Sequence, residues 1–178
     1  VTLVGIISAD TALALPDFRA AERTFALIAQ VAGRAGRGER DGRVVIQSRL
    51  PQHPAILKAA EQDYEAFATK ELEERKQFGY APYARLLRVV VRGPKEPAVM
   101  ERATRLRDIA VSQATTAATV LGPATPSIAR VQGQYRQHLL VKAPTPREIA
   151  VIVRALRAAP RPRGRVEEIL DIDPVGVV

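Results

Sequence analysis

Cysteine and tryptophan are absent from the 178 residues, and methionine occurs once. Without cysteine there is neither a disulfide framework nor a thiolate metal site in the chain. The lack fits a reducing cytoplasm. Aromatic residues make up only 4% of the sequence, so alanine, valine and leucine must fill the core that a 47% hydrophobic content allows. No run is long and apolar enough to span a membrane, so no membrane partner is expected, and no basic-then-apolar opening suggests a signal peptide. An initiator methionine is also lacking. The opening VTLVGII reads as the interior of something longer.

Charge is present but uneven. The formal net charge is +8. Residues 1–80 hold 11 basic and 11 acidic side chains, whereas residues 81–178 hold 16 basic and 8 acidic ones. The entire excess lies in the second half. A basic half points to a polyanionic partner, and nucleic acid is the commonest. The alternative is a solvated surface in an arginine-rich protein.

Residues 1–7 are a β-branched apolar run that predicts a strand buried on both faces of a parallel sheet. Asp10 falls just past its carboxyl end, where open α/β sheets bind ligands. A loop aspartate that only shapes a turn is the competing reading. Phe25, Ile28, Ala29 and Ala32 follow helical spacing, with Asp17 as the expected N-cap and Gly33 as the end. Asp41-Gly42 predicts a turn, and residues 43–47 a second strand. This is the end of a parallel α/β domain, with too few layers to cover its own sheet. Residues 51–78 predict a charged helix with Tyr64, Phe67, Ala68 and Leu72 on one face. Gly79 and Pro82 stop it, and a boundary is expected near Tyr80.

In the second half ARLLRVVVR alternates, with Leu87, Val89 and Val91 facing one way and Arg88 and Arg92 the other. Residues 96–117 predict a helix with Val99, Ala103, Leu106 and Ala110 inward. A short or broken strand, the turn Gln132-Gly133-Gln134, and the return strand YRQHLLVKA follow. A helix over 146–159, opened by Pro146, and the strand VEEILDID close the chain. The order is βαββαβ, the split-βαβ, ferredoxin-like α+β arrangement. The expected division is 1–50, 51–80 and 81–178.

The segment AQVAGRAGRGER sets two arginines three residues apart among glycines. Arginine's planar fork matches phosphate geometry, and glycine lets a backbone come close. Gln30 lies one helical turn before Arg34 and shares its face. The pattern Gln-x-x-Gly-Arg-x-Gly-Arg, after a strand and a helix, resembles motif VI of the superfamily 2 helicases. That resemblance implies an arginine finger at Arg37, with Arg34 and Gln30 beside it and Gly33 and Gly36 shaping the loop. With ATP as the implied ligand, Asp10, past the carboxyl end of the first strand, is a candidate for its site. A basic glycine loop that merely turns the chain is the plainer alternative. None of the five lysines follows a glycine, so no Gly-x-x-x-x-Gly-Lys-Ser/Thr loop occurs. No acidic Mg²⁺ motif appears either, and these residues alone do not make a complete ATP site.

A wider set of segments carries a more specific likeness. PDFRAAERTFALIAQVAGRAGRGERDGRVVIQS, HPAI, DYEAFATKELEERKQFGYAPYARLLRVVVRG, VLGPATPSIARVQGQYRQHLLVKA and the closing DIDP resemble the C-terminal part of the PriA family of bacterial replication-restart helicases. The resemblance spans essentially the whole chain. It implies the end of a second RecA-like helicase lobe (1–50), a helical connector (51–80) and a C-terminal domain that binds branched DNA. It further implies ATP and Mg²⁺ as cofactors of the full-length protein. The family's zinc has no ligands in this chain. Implied partners are forked or single-stranded DNA, other primosome proteins, and the acidic tail of single-stranded DNA-binding protein, with Arg147 as a candidate for the tail's carboxylates. The implied location is the bacterial cytoplasm, at the nucleoid. A non-catalytic DNA- and protein-binding module is the second possibility, and a helicase relative acting on RNA a third.

Arg130, Gln132, Gln134, Tyr135, Arg136 and His138 gather around the predicted hairpin. Arginine can pair with phosphate, glutamine can bond sugar or base, and tyrosine can stack on an unpaired base. Alternation puts Arg136 and His138 on one face and Tyr135 and Gln137 on the other, so they cannot all serve one flat surface. A polar hairpin tip without a ligand is the competing reading.

Overall fold

The computed structural model of the chain describes residues 2–35, 42–160 and 164–176. The chain divides into two units, Val1–Gln77 and Phe78–Val178.

In the first unit, strand β1 (Leu3–Ile6) leads through a 3-10 turn (Ala12–Ala14) to helix α1 (Ala20–Ala32), then to strand β2 (Arg43–Ile46). The two strands pair in parallel, from Leu3 opposite Arg43 to Ile6 opposite Ile46. The first strand is not buried on both faces as expected. It is four residues long, and Leu3 and Ile7 are 61% and 79% exposed. One face of the pair meets α1, where Ile6 and Ile46 pack beside Phe25 and Ile28, while Leu3 and Val45 on the other are 61% and 49% exposed.

The α1 cap also differs from expectation. Arg19 is the N-cap, and it lacks a capping side-chain bond. Asp17 acts from two residues earlier: its Oδ1 accepts from the Arg19 amide at 3.0 Å, and its Oδ2 lies 3.1 Å from Arg23 Nη1. A carboxylate there still complements the helix's positive end.

The charged segment forms two helices rather than one, α2 (Pro54–Ala60) and α3 (Tyr64–Phe78). Gln62 takes φ +57° at the break, and Asp63 Oδ1 accepts from the Ala66 amide at 3.0 Å, starting α3 anew. Phe67 is buried, with its ring stacked 4.4 Å from Phe25, while Tyr64 and Leu72 stay exposed. Gly79, at φ +63°, supplies the left-handed residue after α3.

The second unit runs β3 (Arg85–Gly93), α4 (Glu96–Gln113), β4 (Thr119–Ala124), β5 (Arg130–Val131), β6 (Gln134–Ala143), α5 (Pro146–Ala158) and β7 (Glu167–Ile172). The sheet order is β4-β6-β3-β7, every neighbouring pair is antiparallel, and β5 adds to β6. Each helix therefore joins two strands that flank a third, which is the split-βαβ topology. Helix α4 stops at Gln113 rather than at 117. Ala114 is extended, and Thr115 Oγ1 donates to Glu148 Oε1 at 2.6 Å, tying the end of α4 to the start of α5.

The core lies between the two helices and one sheet face. Leu87, Val89 and Val91 of β3 and Leu139 and Val141 of β6 meet Val99, Ala103, Leu106 and Ala110 of α4, together with Ile149, Ile152 and Leu156 of α5. The alternation that sends these residues inward sends a second, polar set to the opposite face.

Candidate nucleic-acid interface

That opposite face is a ladder whose rungs are fixed by register. On one rung Arg136, Arg92 and Glu167 lie side by side; on the next, His138, Val90 and Ile169; on the next, Leu140, Arg88 and Asp171. Lys142 lies opposite Leu86 at the far end. The edge strand β7 brings the carboxylates. Glu167 accepts from Arg92 Nη2 at 2.6 Å, and Asp171 accepts from Arg88 Nη2 at 3.0 Å. Arg85 pairs with Asp173. Lys142 Nζ sits 3.5 Å from the centre of the Tyr80 ring and donates to the Phe78 carbonyl at 2.9 Å.

Arg136 is different. Its Nη2 lies 3.3 Å from His138 Nε2, and it has no carboxylate partner among the described residues. Burial pushes the His138 imidazole down to about 4, and the guanidinium groups of Arg136 and Arg88 act in the same direction. The ring is thus neutral at pH 7, and Nε2 can accept from the arginine. Among the described residues, Arg136 is left as a positive charge without a carboxylate, directly across from Arg92.

The hairpin turn places its glutamines here too. Gln132 and Gly133 take φ +50° and +80°, the left-handed pair that a two-residue hairpin loop needs. A hollow of about 360 Å³ is lined by Arg88, Arg92, Arg136, Gln132 and Gln134 around Val90, Val131 and Ile169.

The structure divides the predicted hairpin cluster in two. Gln132, Gln134 and Arg136 line the open-face hollow. Arg130 and Tyr135 lie opposite one another on the helix-side face. There the Arg130 guanidinium sits 5.1 Å from the Tyr135 ring centre, and the ring packs against the core. Gln137, on the same side, is buried and donates to Thr125 Oγ1 at 2.9 Å. The sequence reading missed Arg88 and Arg92 as members of the hollow. Their alternation was visible, but the register that sets Arg92 beside Arg136 was not.

Of the glycine-loop residues, Gly36 and Arg37 lie outside the described residues, as does Asp41 of the expected turn. Gln30 is exposed in the last turn of α1, Gly33 is the C-cap, and Arg34 is exposed just beyond. This is the negative end of a helix, so an anion held there must be held by side chains rather than by helix amides. Asp10 bridges two loops: its Oδ1 accepts from the Arg49 amide at 3.1 Å, and that bond heads the contacts that lower its carboxyl pKa. Arg147 is exposed in the first turn of α5. Two of the amides there are already met, since Thr145 Oγ1 accepts from the Glu148 amide and Glu148 Oε2 accepts from the Thr145 amide. Among the described residues, no cluster of metal-ligating side chains occurs, and no helix is long and apolar enough to cross a membrane.

A family model described as the primosomal protein N C-terminal domain matches residues 76–175. The chain is 42% identical over 176 residues to the replication restart protein PriA of Treponema pallidum (strain Nichols), covering 99% of this chain and 27% of that protein. It is 36% identical over 177 residues to the PriA of Synechocystis sp., covering 99% and 21%. With the PriA of Bacillus subtilis it shares 36% over 156 residues, covering 88% and 19%. The chain thus spans about a quarter or less of the length of these relatives.

Proposed function

The chain belongs to the PriA family, and from that premise we propose that it is the C-terminal part of a replication-restart DNA helicase. In this reading it contributes two things. Residues 1–50 close the second RecA-like lobe and supply the motif VI arginines, and the second unit binds branched DNA and primosome partners. The observation that carries the proposal is the match of the chain, over 99% of its length, to PriA proteins. The open sheet face supports it, since Arg136, with no carboxylate partner among the described residues, lies beside two glutamines and suits a phosphodiester.

Gln30 and Arg34 share an exposed edge at the end of α1, which fits a role beside the γ-phosphate of ATP. Arg37 would stabilise charge on the transferring phosphoryl group, an effect worth roughly 10³–10⁵ in rate. The nucleotide and its Mg²⁺ would be held mainly by the upstream lobe. The acidic tail of single-stranded DNA-binding protein would meet Arg147 through its exposed side chain, since the Thr145 and Glu148 amides are taken by the capping box. Cytoplasmic, nucleoid-associated action follows from the same reading.

The test joins this chain to the upstream lobe of a PriA relative. The 178 residues alone should show no ATPase activity with or without DNA. In the joined protein, Arg37→Ala should lower kcat at least a hundredfold and leave forked-DNA affinity within threefold. DNA-stimulated turnover that stays near normal would reject the finger. Structured RNA outcompeting forked DNA would favour an RNA-acting relative.

A further inference from the structure

We infer that the hollow on the open sheet face of the second unit is a subsite for one unpaired nucleotide. Its phosphate is held by Arg136, and its base or sugar lies on the apolar floor of Val90, Val131 and Ile169. The inference rests on the DNA-binding reading above and narrows it from a basic surface to a recess with a stated occupant.

Charge comes first. Arg92 and Arg136 are directly opposite on neighbouring antiparallel strands, an arrangement that destabilises a sheet unless an anion relieves it. Arg92 is relieved by Glu167, with both its Nε and Nη2 within 2.9 Å of one carboxylate oxygen. Arg136 is not, because its neighbour His138 is neutral and can offer only a lone pair. A phosphodiester oxygen supplies the missing negative charge, and guanidinium donors suit it geometrically.

Shape comes second. The hollow is about 360 Å³, within the range of small-ligand sites, and has an apolar floor. Val90 is buried at its base, while Ile169 is 41% exposed beside it. A duplex offers phosphates and groove edges but keeps its base faces stacked. Only an unpaired nucleotide can lay a base face on such a floor. Gln132 and Gln134 at the rim can donate to or accept from base or sugar atoms.

The third point is orientation. The carboxylates all come from β7, so the β7 side of the hollow repels a phosphate and the β6 side attracts one. The nucleotide therefore enters with its backbone along β6 and the hairpin.

The test measures binding of the 178-residue chain to a thymidine decamer and to a blunt duplex at fixed salt. Arg136→Ala and Ile169→Glu should each weaken decamer binding about tenfold and duplex binding less than threefold. Arg130→Ala, on the other side of the hairpin, should weaken both to a similar, smaller degree. In the unaltered protein, the decamer should raise the pKa of His138, followed by NMR of the ring, because a phosphate beside Arg136 offsets its charge. That titration needs no variant to fold. Equal losses on decamer and duplex, or an unmoved His138 in a chain that does bind the decamer, would overturn the subsite and leave DNA binding standing. A chain that binds no DNA of either kind would overturn both readings.

Discussion

At the scale of single residues, the open face depends on His138 staying neutral. Its imidazole is half-buried between Val90 and the bulge at Ala124, with Arg136 on its own strand and Arg88 on β3 holding the proton off. The folded-state pKa is near 4 against an ordinary value of 6.5, so between those limits the unfolded chain binds more protons than the folded one. The stability that His138 contributes is complete above pH 6.5 and is lost as pH falls towards 4. The melting temperature of the second unit should therefore fall as pH drops from 6.5 towards 4. His138→Gln should flatten that stretch of the profile. A His138→Gln protein that keeps the same pH slope would show that another group titrates there.

At the scale of elements, α5 shows what a sequence makes legible. The expected helix over 146–159 opens at Pro146 as read, and the structure adds a capping box, with both bonds between Thr145 and Glu148 present. Hydrogen bonds from Thr115 and Thr145 also hold the Glu148 carboxyl below its ordinary pKa. Thr145→Ala should cost about 1 kcal/mol of stability by urea denaturation, and a cost near zero would mean that Glu148 alone secures the helix start. The strands and helices of the second unit were legible because alternation and helical spacing both aim at one core. Val99, Ala103, Leu106 and Ala110 were all picked out and are all fully buried. What was not legible came from contacts between distant residues. The break at Gln62 lies inside an unbroken charged pattern, and the early end of α4 depends on Thr115 finding Glu148, 33 residues away. Likewise, alternation told which face Arg136 takes, but only the register of β6 on β3 reveals Arg92 as its neighbour.

At the scale of the whole molecule, the +8 charge lies in the second half because its 16 basic side chains face only 8 acidic ones, and most of those carboxylates are already paired. Asp108, Glu167, Glu168, Asp171 and Asp173 each pair with an arginine. Arg105, Arg130, Arg136, Arg147, Arg154 and Arg157 keep no carboxylate partner among the described residues, and they are spread over both sides of the sheet. A general basic surface and a defined site on the open face therefore predict different things. If charge alone binds DNA, Arg105, on a helix that covers the opposite face, should count as much as Arg136. The deciding measurement is the affinity of the chain for forked DNA across a salt series, with Arg136→Ala and Arg105→Ala compared to the unaltered protein. Each phosphate neutralised contributes about 0.9 to the slope of log affinity against log salt. Arg136→Ala should flatten the slope by roughly one while Arg105→Ala leaves it unchanged. Equal flattening by both would contradict a site on the open face and reduce the domain to a diffusely basic surface.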